Sequence, residues 1–163
     1  MNKTILVAAA LLASVTSAHL SLSHPIDFIK GKLHKQANGG VTWSACKADG
    51  GFKTDFQNTK SEPLVPVKGQ NVNLILQGLF TDDSDLEAIK VYCEWNKTPL
   101  YQEEFSRKKH YNEGDILTDK IQWFIPGFAP TGHYTVTLRL HDSGEETDNS
   151  RVNFGCIQAD FDL

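Results

Sequence analysis

The sequence predicts an all-β protein built as a two-sheet sandwich. Three observations carry this. From Val41 onward, short stretches alternate apolar and polar residues with the period of two that a half-buried strand needs. Clusters of Gly, Pro, Asn and Asp separate those stretches at the spacing of sandwich turns. No strong helical period interrupts them. The pattern predicts seven or eight short strands.

The elements follow in order. "VTWSACK" and "FKTDFQN" flank Asp49-Gly50-Gly51, a hairpin-type turn signal. "SEPLVPV" carries Pro63 and Pro66, which suits an edge segment because proline cannot donate to a ladder. "QNVNLILQGLF" alternates through Val72, Leu74, Leu76, Gly78 and Phe80. "DDSD" is a polar turn, and "LEAIKVYCEW" then places Ile89, Val91, Cys93 and Trp95 on one face. "TPLYQEEF" is a further strand, "SRKKHYNEGD" a polar loop, and "ILTDKIQWFI" the next strand. Pro126, Gly127, Pro130 and Gly132 stiffen the loop that follows. Beyond it Tyr134, Val136, Leu138 and Leu140 point one way, while His133, Thr135, Thr137, Arg139 and His141 point the other. "SGEETDNS" turns the chain into "RVNFGCIQADFDL". There the apolar set switches parity beside Gly155, as at a β-bulge.

The N-terminus reads differently. Lys3, the apolar run Ile5 to Leu12 and the small residues Thr16-Ser17-Ala18 predict a secretory signal over residues 1–18. Residues 19–40 lack a period and read as an N-terminal tail or propeptide. Residues 41–163 then form one domain, long enough to bury a core. The chain has 16 Lys and Arg against 20 Asp and Glu, and the leader holds one of the lysines and no acid. Such an acidic domain is a poor nucleic-acid binder. Secretion would expose Cys46, Cys93 and Cys156 to an oxidising compartment, where pairing is expected, and an odd number leaves one thiol over or pairs it between chains. Asn96-Lys97-Thr98 is a glycosylation sequon, with Pro99 directly after it.

Catalytic constellations are missing from the pattern. Asp142-Ser143-Gly144 is the aspartic-protease triplet, but it occurs once and Glu145, Glu146 and Asp148 follow, as in a solvated turn. There is no nucleophile elbow and no phosphate-binding loop. His133 and His141 share a face about 26 Å apart, too far for one metal, and read as surface histidines. No metal or cofactor and no enzymatic activity are expected. Arg107, Lys108, Lys109 and His110 form a basic cluster, either a solvated loop or a patch for transient contact with anionic membranes. The inner faces (Leu74, Leu76, Val91, Trp95, Val136, Leu138) suit either a packed core or a ligand cavity, and periodicity does not separate the two.

"IPGFAPTGHYTVTLRLHD", an acidic turn and "FGCIQADFDL" resemble the C-terminal half of the ML lipid-recognition family, on Pro130, Gly132, Tyr134 and Cys156. That family includes the Niemann-Pick type C lysosomal sterol carrier and the plant and fungal phosphatidylglycerol/phosphatidylinositol transfer proteins. "SEPLVPVKGQNVNLILQG" and Cys46 agree more loosely, so the likeness spans residues 41–163. The family's second cysteine pair, around the loop Phe105 to Tyr111, is missing here, and Cys93 matches no family position.

The resemblance implies an immunoglobulin-like sandwich with a lipid between its sheets. It also implies a Cys46–Cys156 disulfide and a monomeric, secreted or endolysosomal carrier of a sterol or phospholipid. Leu74, Leu76, Val91, Trp95, Tyr101, Trp123, Phe128, Tyr134, Val136 and Leu138 are the expected lipid-binding residues. Trp123 and Phe124 alternate, so at most one of the two is expected in the slot, and Trp123 is preferred. The alternatives are an accessory protein presenting lipid to an enzyme or receptor, and an immunoglobulin-like adhesion module without cargo.

Overall fold

A computed structural model describes residues 40–142 and 153–163. The expected leader, all of the expected tail but Gly40, and Ser143 and Gly144 of the protease-like triplet lie outside the described residues. Among the described residues there are nine strands: β1 (Thr42–Ala45), β2 (Phe52–Thr54), β3 (Lys60–Glu62), β4 (Asn71–Phe80), β5 (Ser84–Trp95), β6 (Thr98–Tyr111), β7 (Ile116–Phe124), β8 (His133–His141) and β9 (Asn153–Asp162). One sheet has the order β1-β9-β8-β5-β6. In the other, β4 pairs with β2 and β3, and also with β7. Every pairing is antiparallel, and the two sheets pack as a sandwich.

The alternation of β4 and β8 is realised in space. Val72, Leu74, Leu76 and Phe80 from β4 meet Tyr134, Val136, Leu138 and Leu140 from β8 in one buried core. At about 25 cal/mol per Å² of buried apolar surface, these facing rows are the main stabilising term. The parity switch in β9 is a register shift: Leu140 pairs with Gly155 but His141 with Asn153. Phe154 is thereby left over, and both Phe154 and Cys156 are buried.

Three expectations are corrected. β1 and β2 do not form a hairpin: β1 pairs with β9, while β2 pairs with β4 in the other sheet. The glycine turn between them carries the chain across the sandwich. Residues expected as a polar loop extend β6 to Tyr111, with Lys108 at φ 47° where the β5–β6 register slips. An exposed edge strand needs little apolar sequence, so its charged residues masked it. His141 is buried, because the register shift beside it removes it from the outer row of β8.

One side of the sandwich is closed. The Val41 amide donates to the Leu64 carbonyl at 3.3 Å. The Phe52 ring fills the space that a Cβ would need at both Gly78 of β4 and Gly155 of β9. Cys46, just after β1, is bonded to Cys156 of β9, with Cα atoms 4.9 Å apart. The opposite side is formed by β6 and β7, each the outer strand of its own sheet.

Candidate functional site

The β6–β7 side is where the two sheets part. At the β2–β4 end of this seam the gap is filled: Tyr111 stacks on Phe80 with ring centroids 4.4 Å apart. Farther along, Arg107 of β6 clamps Asp119 of β7 through both Nε and Nη2. Beyond Ile121 a cavity of about 250 Å³ opens between the strands.

Its walls come from both sheets. Cys93, Tyr101 and Tyr134 project from β5, β6 and β8, and Trp123 from β7. Tyr101 and Trp123 face each other with centroids 6.1 Å apart at 31°. Phe161 backs the site, stacked on Tyr134 at 5.6 Å and edge-on to Trp123 at 6.1 Å. Leu100 and Phe124 line the rim, and Ile125, Pro126, Phe128, Ala129 and Pro130 form its roof.

That roof is braced along its length. Gly69 donates its amide to the Ile125 carbonyl at 2.8 Å, and Ile125 donates to Gln70 at 3.0 Å. Ala129 closes a turn onto Pro126 at 3.0 Å. The Tyr134 hydroxyl donates to the Pro130 carbonyl at 2.8 Å. Lys68 donates to the Thr131 hydroxyl, and Trp95 Nε1 to the Thr131 carbonyl. Gly132 sits at φ 149°, and a Cβ there would lie 2.6 Å from Trp95 Nε1, so only glycine lets the loop pass the β5–β6 turn. Phe128 stands at the tip of this rigid loop, 90% exposed. A proline-braced loop carrying an exposed aromatic ring loses little entropy on binding.

The wall carries no ionised group at neutral pH. Burial pushes the Cys93 thiol up to about 11, with Glu94 adding to the shift. Burial also raises the Tyr101 phenol, as do Cys93 and Glu103. The site offers apolar and aromatic surface and holds no activated nucleophile.

The structure brings Tyr101, Trp123, Phe128 and Tyr134 together, as the sequence suggests. Both Trp123 and Phe124 border the cavity, against the expectation of at most one. Phe124 is the last residue of β7, where the chain leaves the ladder and strict alternation ends. Leu74, Leu76, Val91, Val136 and Leu138 lie elsewhere, packed in the core and at most 2% exposed. Trp95 stands behind the loop, hydrogen-bonded to Thr131. Cys93, Leu100, Ile125, Pro126 and Ala129 are the lining that sequence reasoning missed. Cys93 was legible as inward-facing, but nothing in the pattern showed that the sheets part beside it.

The other predicted residues are placed as follows. Cys46 and Cys156 form the disulfide, and Cys93 is free and buried. Asn96 is exposed in the β5–β6 turn, where Asn96 and Lys97 both have positive φ. The basic cluster is engaged within the protein. Arg107 holds Asp119, Lys108 lies 3.6 Å from Glu87, and Lys109 sits 4.4 Å from the Tyr111 ring centroid.

No protein-family model matches the chain, and no curated protein matches it. Among solved structures, it is similar to the C-terminal domain of Wzt. The two are 14% identical over 78% of this chain and 80% of that chain, with a TM-score of 0.54. At that identity the likeness is one of fold, and the shared fold is a β-sandwich.

Proposed function

We propose that the protein binds lipid, holding an apolar chain in the slot between β6 and β7. One observation carries this reading: an aromatic-walled cavity opens between β6 and β7 at the edge of the sandwich, beyond the Arg107–Asp119 pair. Pro130 and Tyr134, which carry the resemblance to the ML family, lie at this slot, with Gly132 beside it. The volume limits the cargo. Cavities for whole drug-sized ligands run from about 300 Å³ upward. At roughly 30 Å³ per water-sized group, the slot takes on the order of eight methylenes. Each contributes about 0.8 kcal/mol on leaving water. The cargo is therefore one acyl chain of a lipid, with the remainder outside, and a whole sterol needs the sheets to separate further. The disulfide fits an oxidising compartment. With the predicted leader and the exposed Asn96 sequon, this supports a secreted or endolysosomal carrier.

A second reading has its own support. The centre of the sandwich is filled by Leu74, Leu76, Val91, Val136 and Leu138, as in an adhesion module without cargo. Displacement of a fluorescent polyene fatty acid separates the two. A carrier binds it at one site and releases it to unlabelled lipid, whereas a filled sandwich gives no saturable signal. Capture of the protein by a lipid-using enzyme or receptor would assign it the accessory role instead.

A further inference from the structure

Glu103 does not line the slot but stands one inward-facing position along β6 from Tyr101, which does. Glu103 lies on β6 between Tyr101, which lines the slot, and Phe105, which packs on the core. The two-residue period of a strand places Glu103 on their face. It sits opposite Val91, one inward position from the Cys93–Tyr101 pair. Its side chain is exposed, and among the described residues it has no ion-pair or hydrogen-bond partner. Its charge reaches the Tyr101 phenol, whose proton it helps to retain.

No cation answers Glu103 from the facing row. On β7 that row offers Trp123 and Ile121, and then Asp119, which Arg107 already holds. Lys120 belongs to the opposite face of β7. Lys68 is hydrogen-bonded to the Thr131 hydroxyl of the roof loop, and Lys97 stands in the β5–β6 turn. The neighbour of Glu103 on the same face of β6 is Tyr101, whose ring lies tilted 6.1 Å from that of Trp123. Aromatic faces attract a poorly hydrated cation, and a free carboxylate beside them adds to that attraction. An anionic head would meet Glu103 with no compensating charge.

We propose that the slot selects a single-chain amphiphile with a quaternary ammonium head. The chain occupies the cavity, and the head lies beside Tyr101 and Trp123 within reach of Glu103. This rests on the chain-binding reading above and adds the chemistry of the head.

Calorimetric titration of the full chain tests it, with decyltrimethylammonium, decanol and decyl sulfate used below their micelle concentrations. The ammonium compound binds about fivefold or more tighter than decanol, and the sulfate binds weakest. Glu103→Gln brings the ammonium and the alcohol within about twofold of each other, as expected when one exposed charge is removed. Glu104→Gln, on the opposite face of the same strand, keeps the parent's preference. Equal affinity of the parent for ammonium and alcohol overturns the head selection while leaving chain binding intact. An unchanged preference in Glu103→Gln overturns it as well. Failure of all three compounds to bind overturns both readings.

Discussion

Arg107 and Asp119 join the two sheets across the β6–β7 seam: Arg107 Nη2 donates to Asp119 Oδ1 at 2.6 Å. Asp119 occupies the inward row of β7 between Leu117 and Ile121, and is itself buried. The two-donor fork is the geometry in which an arginine–carboxylate pair is strongest. Its location sets how far the slot can run along the seam.

Removing either partner strands the other charge. Arg107→Ala leaves a buried carboxylate and is expected to destabilise by about 3 kcal/mol. Asp119→Ala leaves a half-buried guanidinium that can turn to water, so its cost is smaller, about 1–2 kcal/mol. Urea unfolding of the two variants measures the difference. Equal and negligible losses would show that the pair does not hold the seam.

The Cys46–Cys156 bond closes a loop with a sequence separation of 110. Chain-entropy reasoning gives it about 4–5 kcal/mol. The double Cys46→Ala, Cys156→Ala variant therefore unfolds at much lower urea. Cys93, buried and pushed up to about 11, is expected to resist thiol reagents at pH 8 in the folded protein and to react on unfolding. Rapid labelling of Cys93 under native conditions would mean that the inner wall of the slot opens readily.

Phe128 and Tyr134 separate binding from folding. Phe128 is 90% exposed, so Phe128→Ala should leave stability within about 0.5 kcal/mol while weakening fatty-chain binding. Tyr134 stacks on Phe161 and anchors the roof through Pro130. Tyr134→Ala should cost about 3 kcal/mol or more and lose binding together with the fold. Thermal melts alongside binding titrations check both. Full binding by Phe128→Ala would remove the loop from the site.

His110 is held above the ordinary histidine value, chiefly by its hydrogen bond to Asp85 at 2.8 Å. A raised folded-state value stabilises the fold when the imidazole is charged. That contribution is fully present below about pH 6.5 and fades as pH rises through the raised value. Nuclear magnetic resonance titration of His110 should show an elevated midpoint that falls back in Asp85→Asn. An unchanged midpoint in that variant would contradict the pairing.

How much the sequence disclosed depended on how local the signal was. The alternation of Val72 to Phe80 and of Tyr134 to Leu140 gave the inner rows directly, because strand geometry repeats every two residues. The shift at Gly155 was legible for the same reason. Which strands pair was not, since Asp49-Gly50-Gly51 turns the chain equally well within a sheet or between sheets. At the site, Trp123, Phe128 and Tyr134 stood out as aromatics around prolines. That Leu74 and Leu138 pack in the core while Tyr101 and Phe124 face a cavity depends on where two edge strands separate. That is a property of the assembled sandwich.

Native mass spectrometry after incubation with a neutral medium-chain alcohol tests the central claim most directly. The account predicts a single ligand per chain in the parent, lost in a Trp123→Ala variant that melts cooperatively. A parent that stays bare at every ligand concentration, or that takes up several molecules without saturation, would contradict it.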